Sequence, residues 1–152
     1  MRRGDHGFLP FKEREVTIKT LSVLAMLCLF SGAAVAQTPD AREEAKAWLS
    51  TVDAGNYAES WEQAGEYFQE AMSQAEWVEA LNNVRAPLGE SLNRVVTEST
   101  QHDSLPGVPD GQYMILLFDS QFEHLDPAIE TLTLVNEERE WRVLGYYIRP
   151  GV

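Results

Sequence analysis

Cysteine is almost missing from this chain: its 152 residues hold one, Cys28. That residue lies in an N-terminal segment that reads as removable. The rest of the chain then has no thiol, which excludes disulfides, thiolate metal sites and cysteine nucleophiles and leaves the fold to an apolar core. Basic residues are scarce as well. Twelve Lys and Arg face twenty-four Asp and Glu, a formal net charge of −12. A field of that sign repels nucleic acid and anionic membrane surfaces. Histidine is thin, with only His6, His102 and His124. A zinc site wants three or four ligands at helical or turn spacing, so no metal is expected. His102 beside Asp103 points to the opposite face of a strand from its neighbour, which is no acid–base dyad. Gly-rich nucleotide loops, calcium loops and a nucleophile elbow around Ser60, Ser91, Ser99, Ser104 or Ser120 are all lacking, so neither a cofactor nor a catalytic residue is assigned.

Residues 1–36 show the three parts of an export signal. Arg2, Arg3, Lys12, Arg14 and Lys19 precede an uncharged run from Thr20 to Phe30, and Ala34-Val35-Ala36 supplies small residues for a signal peptidase. The strongly apolar core is about half the ~20 residues a membrane span needs, so no stable anchor is expected after cleavage. Arg2-Arg3 stands too far upstream for a twin-arginine signal, and Cys28 follows Leu27 where a lipid-attachment box wants a small residue. Cleavage after Ala36 makes Gln37 the new N-terminus and the periplasm or the exterior the destination. Residues 37–152 then form one α+β domain whose seven basic and twenty-one acidic residues leave −14.

The first half of that domain has helical period. Asp40 with Glu43 reads as a capping box, and Ala45, Trp48, Leu49 and Val52 make one apolar stripe that Gly55 ends. Asn56 with Glu59 opens a second helix, expected to run to Ala71 or Met72 on Trp61, Ala64, Gly65, Phe68 and Met72. Ser73 with Glu76 opens a third, on Trp77, Leu81, Val84 and Leu88, ended by Pro87 and Gly89. The two stripes joined at Gly55 make a helical hairpin.

The second half changes to period two. Residues 91–100, 112–122, 129–135 and 141–149 read as four strands, with the stiff turn-rich stretch LPGVPDG at 105–111 between the first two. Such short connections predict antiparallel neighbours. Both sheet faces are partly apolar. Met114, Leu116 and Phe118 alternate with Tyr113, Ile115 and Leu117, and Leu144, Tyr146 and Ile148 alternate with Trp141, Val143 and Tyr147. Helices can cover one face only. A homodimer through the open face, built on Trp141, Val143 and Tyr147 with Tyr113, Ile115 and Leu117, is the expected solution.

The segments DAGNYAESW at 53–61, VRAPLG at 84–89, LPGVPDGQY at 105–113, ETLTL at 130–134 and WRVLGYYIR at 141–149 resemble the bacterial family catalogued as domain of unknown function 4019. That resemblance implies no activity. The layout also resembles the nuclear-transport-factor-2-like fold, and so implies three N-terminal helices packed on a curved four-stranded antiparallel sheet, an NTF2-like or cystatin-like cone that encloses a pocket. Folds of this kind serve isomerases, dehydratases, hydrolases and plain binding modules alike.

Candidate site residues follow from charges at buried phases. Glu130 alternates with Leu132 and Leu134, Arg94 shares a face with Leu92 and Val96, and Arg85 follows Val84. A buried carboxylate needs a partner, so Arg94 and Glu130 either floor a ligand pocket or form a structural ion pair. Tyr57 and Tyr146 complete the candidate ligand set, since a buried hydroxyl must be hydrogen-bonded. The expected function is an exported small-ligand-binding or protein-interaction module. The alternative is a cofactor-free acid–base enzyme using the cone pocket.

Overall fold

The computed structural model describes residues 40–152; the export segment and its cleavage point lie outside the described residues. Among these residues four α-helices and a 3-10 turn precede four strands: α1 Ala41–Asp53, α2 Tyr57–Glu62, α3 Glu66–Ala71, α4 Gln74–Val84, the 3-10 turn Ala86–Leu88, β1 Ser91–His102, β2 Tyr113–Phe122, β3 Leu125–Glu137 and β4 Glu140–Pro150. The strands form one antiparallel sheet in the order β1-β2-β3-β4. Among the described residues no helix is long and apolar enough to cross a membrane.

Helix α1 ends where the sequence places its stop. Gly55 takes φ +78, a left-handed conformation that a Cβ disfavours. Its N–H donates to the Val52 carbonyl at 2.9 Å and that of Asn56 to Thr51 at 3.1 Å, satisfying carbonyls the helix would leave bare. Two of the three expected capping boxes are incomplete. Asp40 accepts from the Arg42 N–H at 3.4 Å, while Glu43 turns instead to Lys46 at 3.0 Å. Asn56 makes no side-chain cap, and Glu59 takes the Gln63 amide at 3.1 Å. The Ser73–Glu76 box is complete.

The expected second helix is two helices. Between α2 and α3 the chain leaves helical geometry so that Ala64 bridges Val143, with the Gly65 N–H donating to the Val143 carbonyl at 2.8 Å. A Cβ on Gly65 would stand 2.8 Å from Glu137 Oε1, so any larger residue at the crossing would have to push that carboxylate aside. The Gln69 amide then caps the freed carbonyls of Trp61, Glu62 and Ala64 at 2.9, 3.2 and 3.1 Å.

One core joins the helices to the sheet: Ala45, Trp48, Leu49, Val52, Trp77 and Leu81 pack with Leu116, Phe118, Leu132, Leu134, Val143 and Tyr146. Trp48 meets Tyr146 edge-on at 5.4 Å, and Phe68 meets Trp77 edge-on at 5.0 Å. Both buried indoles are satisfied at Ser60: Trp48 Nε1 donates to its carbonyl at 2.8 Å and Trp77 Nε1 to its hydroxyl at 3.0 Å.

Two irregularities change which residues face that core. In β4, Leu134 pairs with Val143 but Thr133 with Gly145, so Leu144 is extra and the alternation inverts. Val143 and Trp141, expected on the open face, therefore point into the core with Tyr146 and Ile148. In β1, the shift between Ser91 and Asn93 leaves Leu92 out of phase and 58% exposed, so Arg94 shares its inward face with Val96 but not with Leu92. Tyr113 is not on an open surface either. It is buried beneath the 103–112 connection, its hydroxyl donating to the Pro109 carbonyl, while Tyr67 ties the same connection down through the Gly107 carbonyl at 2.8 Å.

Candidate functional site

Each strand contributes one polar side chain to a common inward-facing cluster. These are Arg94 on β1, Ser120 on β2, Glu130 on β3 and Tyr146 on β4. Helix α1 adds Asp53 from its last turn, and Arg85 sits at the C-cap of α4. The Arg94 guanidinium clasps two carboxylates in fork geometry. Nε donates to Glu130 Oε2 at 2.6 Å and Nη2 to Oε1 at 3.1 Å, while Nη1 and Nη2 donate to Asp53 Oδ2 and Oδ1 at 2.7 and 3.1 Å. Arg85 Nη2 reaches Asp53 Oδ1 at 2.9 Å and its Nη1 the Gly89 carbonyl at 2.7 Å. The hydroxyls of Ser120 and Tyr146 each donate to one oxygen of Glu130.

Two cations thus balance two anions, as a buried cluster requires. Glu130 has no exposed surface, and each of its oxygens already accepts two hydrogen bonds. Burial pushes the Asp53 carboxyl up, but hydrogen bonds and charge from Arg94 and Arg85 outweigh it and leave the group below its ordinary value. Burial also works against the charged Arg94, and its two carboxylates more than reverse that, holding it firmly protonated. Burial, reinforced by the Glu130 charge, raises the Tyr146 phenol well above its usual range. The Phe122 ring lies under both arginines, 4.5 Å from Arg85 and 5.9 Å from Arg94, a second stabilising contact for each cation. Arg85 Nε is buried without a partner.

Of the five residues singled out from sequence, Arg85, Arg94, Glu130 and Tyr146 come together in this cluster. Tyr57 does not: it packs in the core at the α1–α2 joint and lines a shallow cleft with Gly55, Val78 and Asn82. Sequence reasoning missed Asp53 and Ser120. Ser120 had a readable signal, since it stands between Phe118 and Phe122 at the inward phase, as Glu130 does beside Leu132. Asp53 had almost none, because an acid in the last turn of a helix normally opposes the dipole and faces solvent.

Clefts open elsewhere. One lies among Glu62, Glu66, Gln69, Glu137, Glu138, Glu140 and Arg142, one at the sheet end by Asp119, Asp126 and Arg149, and one beneath the 103–112 connection. None of these is lined by Arg94, Glu130 or Tyr146; of the cluster, Ser120 borders the cleft at the sheet end. Among the described residues no group of His, Cys, Asp and Glu is arranged to hold a metal ion. Chemically, Glu130 is buried and saturated and the serine donates to it, while Asp53, part-exposed, is held by both arginines.

A family model described as protein of unknown function (DUF4019) matches residues 44–146, a stretch that contains every member of the cluster. No curated protein matches the chain.

Proposed function

The chain belongs to the DUF4019 family, whose description names no activity, and from its own residues we propose that it is an exported protein-interaction module that works through the sheet face its helices leave open. The carrying observation is where the reactive and the sticky groups lie. Among the described residues the buried ionisable side chains pair with one another, while the outer face presents Tyr147 at 73% and Val95 at 53% exposure beside half-buried Ile115, Leu117, Ile129 and Val135. Exposed apolar surface gathered on one sheet face marks a contact for another macromolecule.

The finer fold reading belongs to the same proposal: a variant of the NTF2-like cone whose interior is filled. The aromatic packing of Trp48, Phe68, Trp77 and Tyr146 supports it, since these rings occupy the space between helices and sheet where a cone would hold a ligand. A filled interior favours interaction over small-ligand binding. The saturated Glu130 likewise gives the acid–base alternative no observation to stand on. Export rests on the basic, apolar and small-residue parts of residues 1–36.

A photo-crosslinking residue at position 147, introduced in living cells, tests this. The expected result is a crosslinked protein product in the exported fraction, carrying a chain that starts at Gln37, with no product from position 79 on the exposed side of α4. Absence of any product from 147 would overturn the reading.

A further inference from the structure

We propose that the cleft beneath the 103–112 connection binds a small organic cation: one apolar ring that carries a protonated amine. This goes beyond the interaction reading and does not depend on it. Tyr67, Tyr113, Val135 and Leu144, which line the cleft, stand outside the core packed between helices and sheet, so the filled interior leaves this site untouched.

The walls are fixed before any ligand arrives. Residues 103–112 form neither helix nor strand, yet they are tied to the rest of the chain at several points. Tyr67 of α3 and Tyr113 at the start of β2 donate their hydroxyls to the carbonyls of Gly107 and Pro109, the first at 2.8 Å. The Gly111 N–H donates to the Asp103 carbonyl at 3.0 Å and the Asn136 N–H to that of Gln112 at 2.9 Å. With Pro106 and Pro109 stiffening it as well, the connection is a roof rather than a loose flap. Beneath it, Val108 and Pro109 face Val135, Leu144 and the two tyrosine rings around a volume of about 200 Å³. An apolar cavity of about 150 Å³ takes up benzene, whereas drug-sized ligands occupy about 300–1,000 Å³. The space therefore fits one ring and little more.

Charge decides the class of that ring. Asp110 and Glu137 line the cleft, and no Lys, Arg or His does. Neither carboxylate is paired with a basic side chain among the described residues. Glu137 accepts the Glu66 backbone N–H at 3.3 Å, which leaves its charge in place. The charges are felt inside the cleft: burial raises the Tyr113 phenol above its ordinary value, and Asp110, Tyr67 and Glu137 raise it further. Both phenol hydrogens are already spent on the roof, so the two oxygens have only lone pairs left to offer, as the carboxylates do. Asn136 apart, the lining side chains thus present acceptors, ring faces and aliphatic carbon. An ammonium gains from the acceptors and the ring faces together, while a neutral ring gains only from burial and an anionic one is repelled.

The test titrates the isotope-labelled protein, as the cell produces it, with phenethylammonium and follows backbone amide chemical shifts. Phenethyl alcohol and hydrocinnamate are the controls, a similar body without charge and with a negative one. The expected result is saturable shifts centred on residues 107–113 and 135–137 that weaken with added salt, with the alcohol bound roughly fivefold or more weakly and hydrocinnamate not at all. Asp110→Asn should weaken the ammonium by roughly threefold or more and leave both the alcohol and the melting midpoint unchanged, because Asp110 is exposed and makes no ion pair. Equal affinity for ammonium and alcohol, or an Asp110→Asn variant that binds the ammonium as wild type does, would overturn the proposal. Shifts confined to the neighbouring cleft at Glu62 and Glu66 would overturn it as well, by showing attraction to acidic surface at large. So would the absence of any saturable shift.

Discussion

Glu130 carries the most consequence of any residue in the chain. Its carboxylate is inaccessible to water and is held by Arg94, Ser120 and Tyr146 from the other three strands. Removing one member of such a cluster leaves its partner charge buried and uncompensated, which outweighs anything the lost contact itself contributed. Glu130→Ala is therefore expected to destabilise the protein by about 3–5 kcal/mol. Glu130→Gln keeps the shape and part of the hydrogen bonding and should cost less, since Arg94 retains Asp53. Equilibrium denaturant melts of both variants check this, and a midpoint equal to wild type in both would remove Glu130 from any structural role.

Elements meet at joints, and Gly89 is the joint between the helices and the sheet. It adopts φ +76 and ψ −153, a combination open in practice only to glycine, and a Cβ there would stand 2.5 Å from Glu123 Oε2 and 2.9 Å from Glu123 Cβ. Its carbonyl also anchors Arg85. Gly89→Ala should thus cost at least about 1–3 kcal/mol in strain alone, measured as a lowered melting midpoint. The joints also mark where sequence reading stopped. The Gly55 stop, the Ser73–Glu76 box and the four strands were legible because local chemistry decides them. The break at Ala64-Gly65 was not, because its cause is a bridge to Val143 far along the chain. The inversion of Trp141 and Val143 was hidden for a similar reason: one extra residue at Leu144 swaps every later face, and a bulge leaves no mark in the alternation itself. Glu130 with Arg94 was readable as a pair by charge at a buried phase, whereas Asp53 joined it only through the tertiary docking of α1.

For the whole molecule, the cluster contributes to how stability depends on pH on both the acid and the alkaline side. The Asp53 carboxyl is lowered on folding, because Arg94 and Arg85 outweigh its burial. The unfolded chain therefore takes up that proton at higher pH than the folded one. The contribution is fully present above the ordinary aspartate value of about 4 and is lost as pH falls through the folded value. Tyr146 is raised by burial and by Glu130, so its contribution is complete below the ordinary tyrosine value of about 10 and declines as pH climbs beyond it. Denaturant midpoints should be level between those limits and fall on both sides, with Asp53→Asn flattening the acid limb. An acid limb unchanged by that substitution would show that Asp53 does not set it.

The account as a whole holds that the buried cluster builds the fold and that the open sheet face does the work. Its most direct test is the variant Arg94→Met, Glu130→Leu, Ser120→Ala and Tyr146→Phe, which removes both charges together with the two hydroxyls that donate to Glu130 and leaves apolar side chains, read by crosslinking from position 147 in the cell. Paired apolar replacement of a buried ion pair is commonly tolerated where single removal is not. The account predicts a folded protein that gives the same crosslinked product as wild type. A folded variant that has lost that product would contradict it, and would move the function into the cluster.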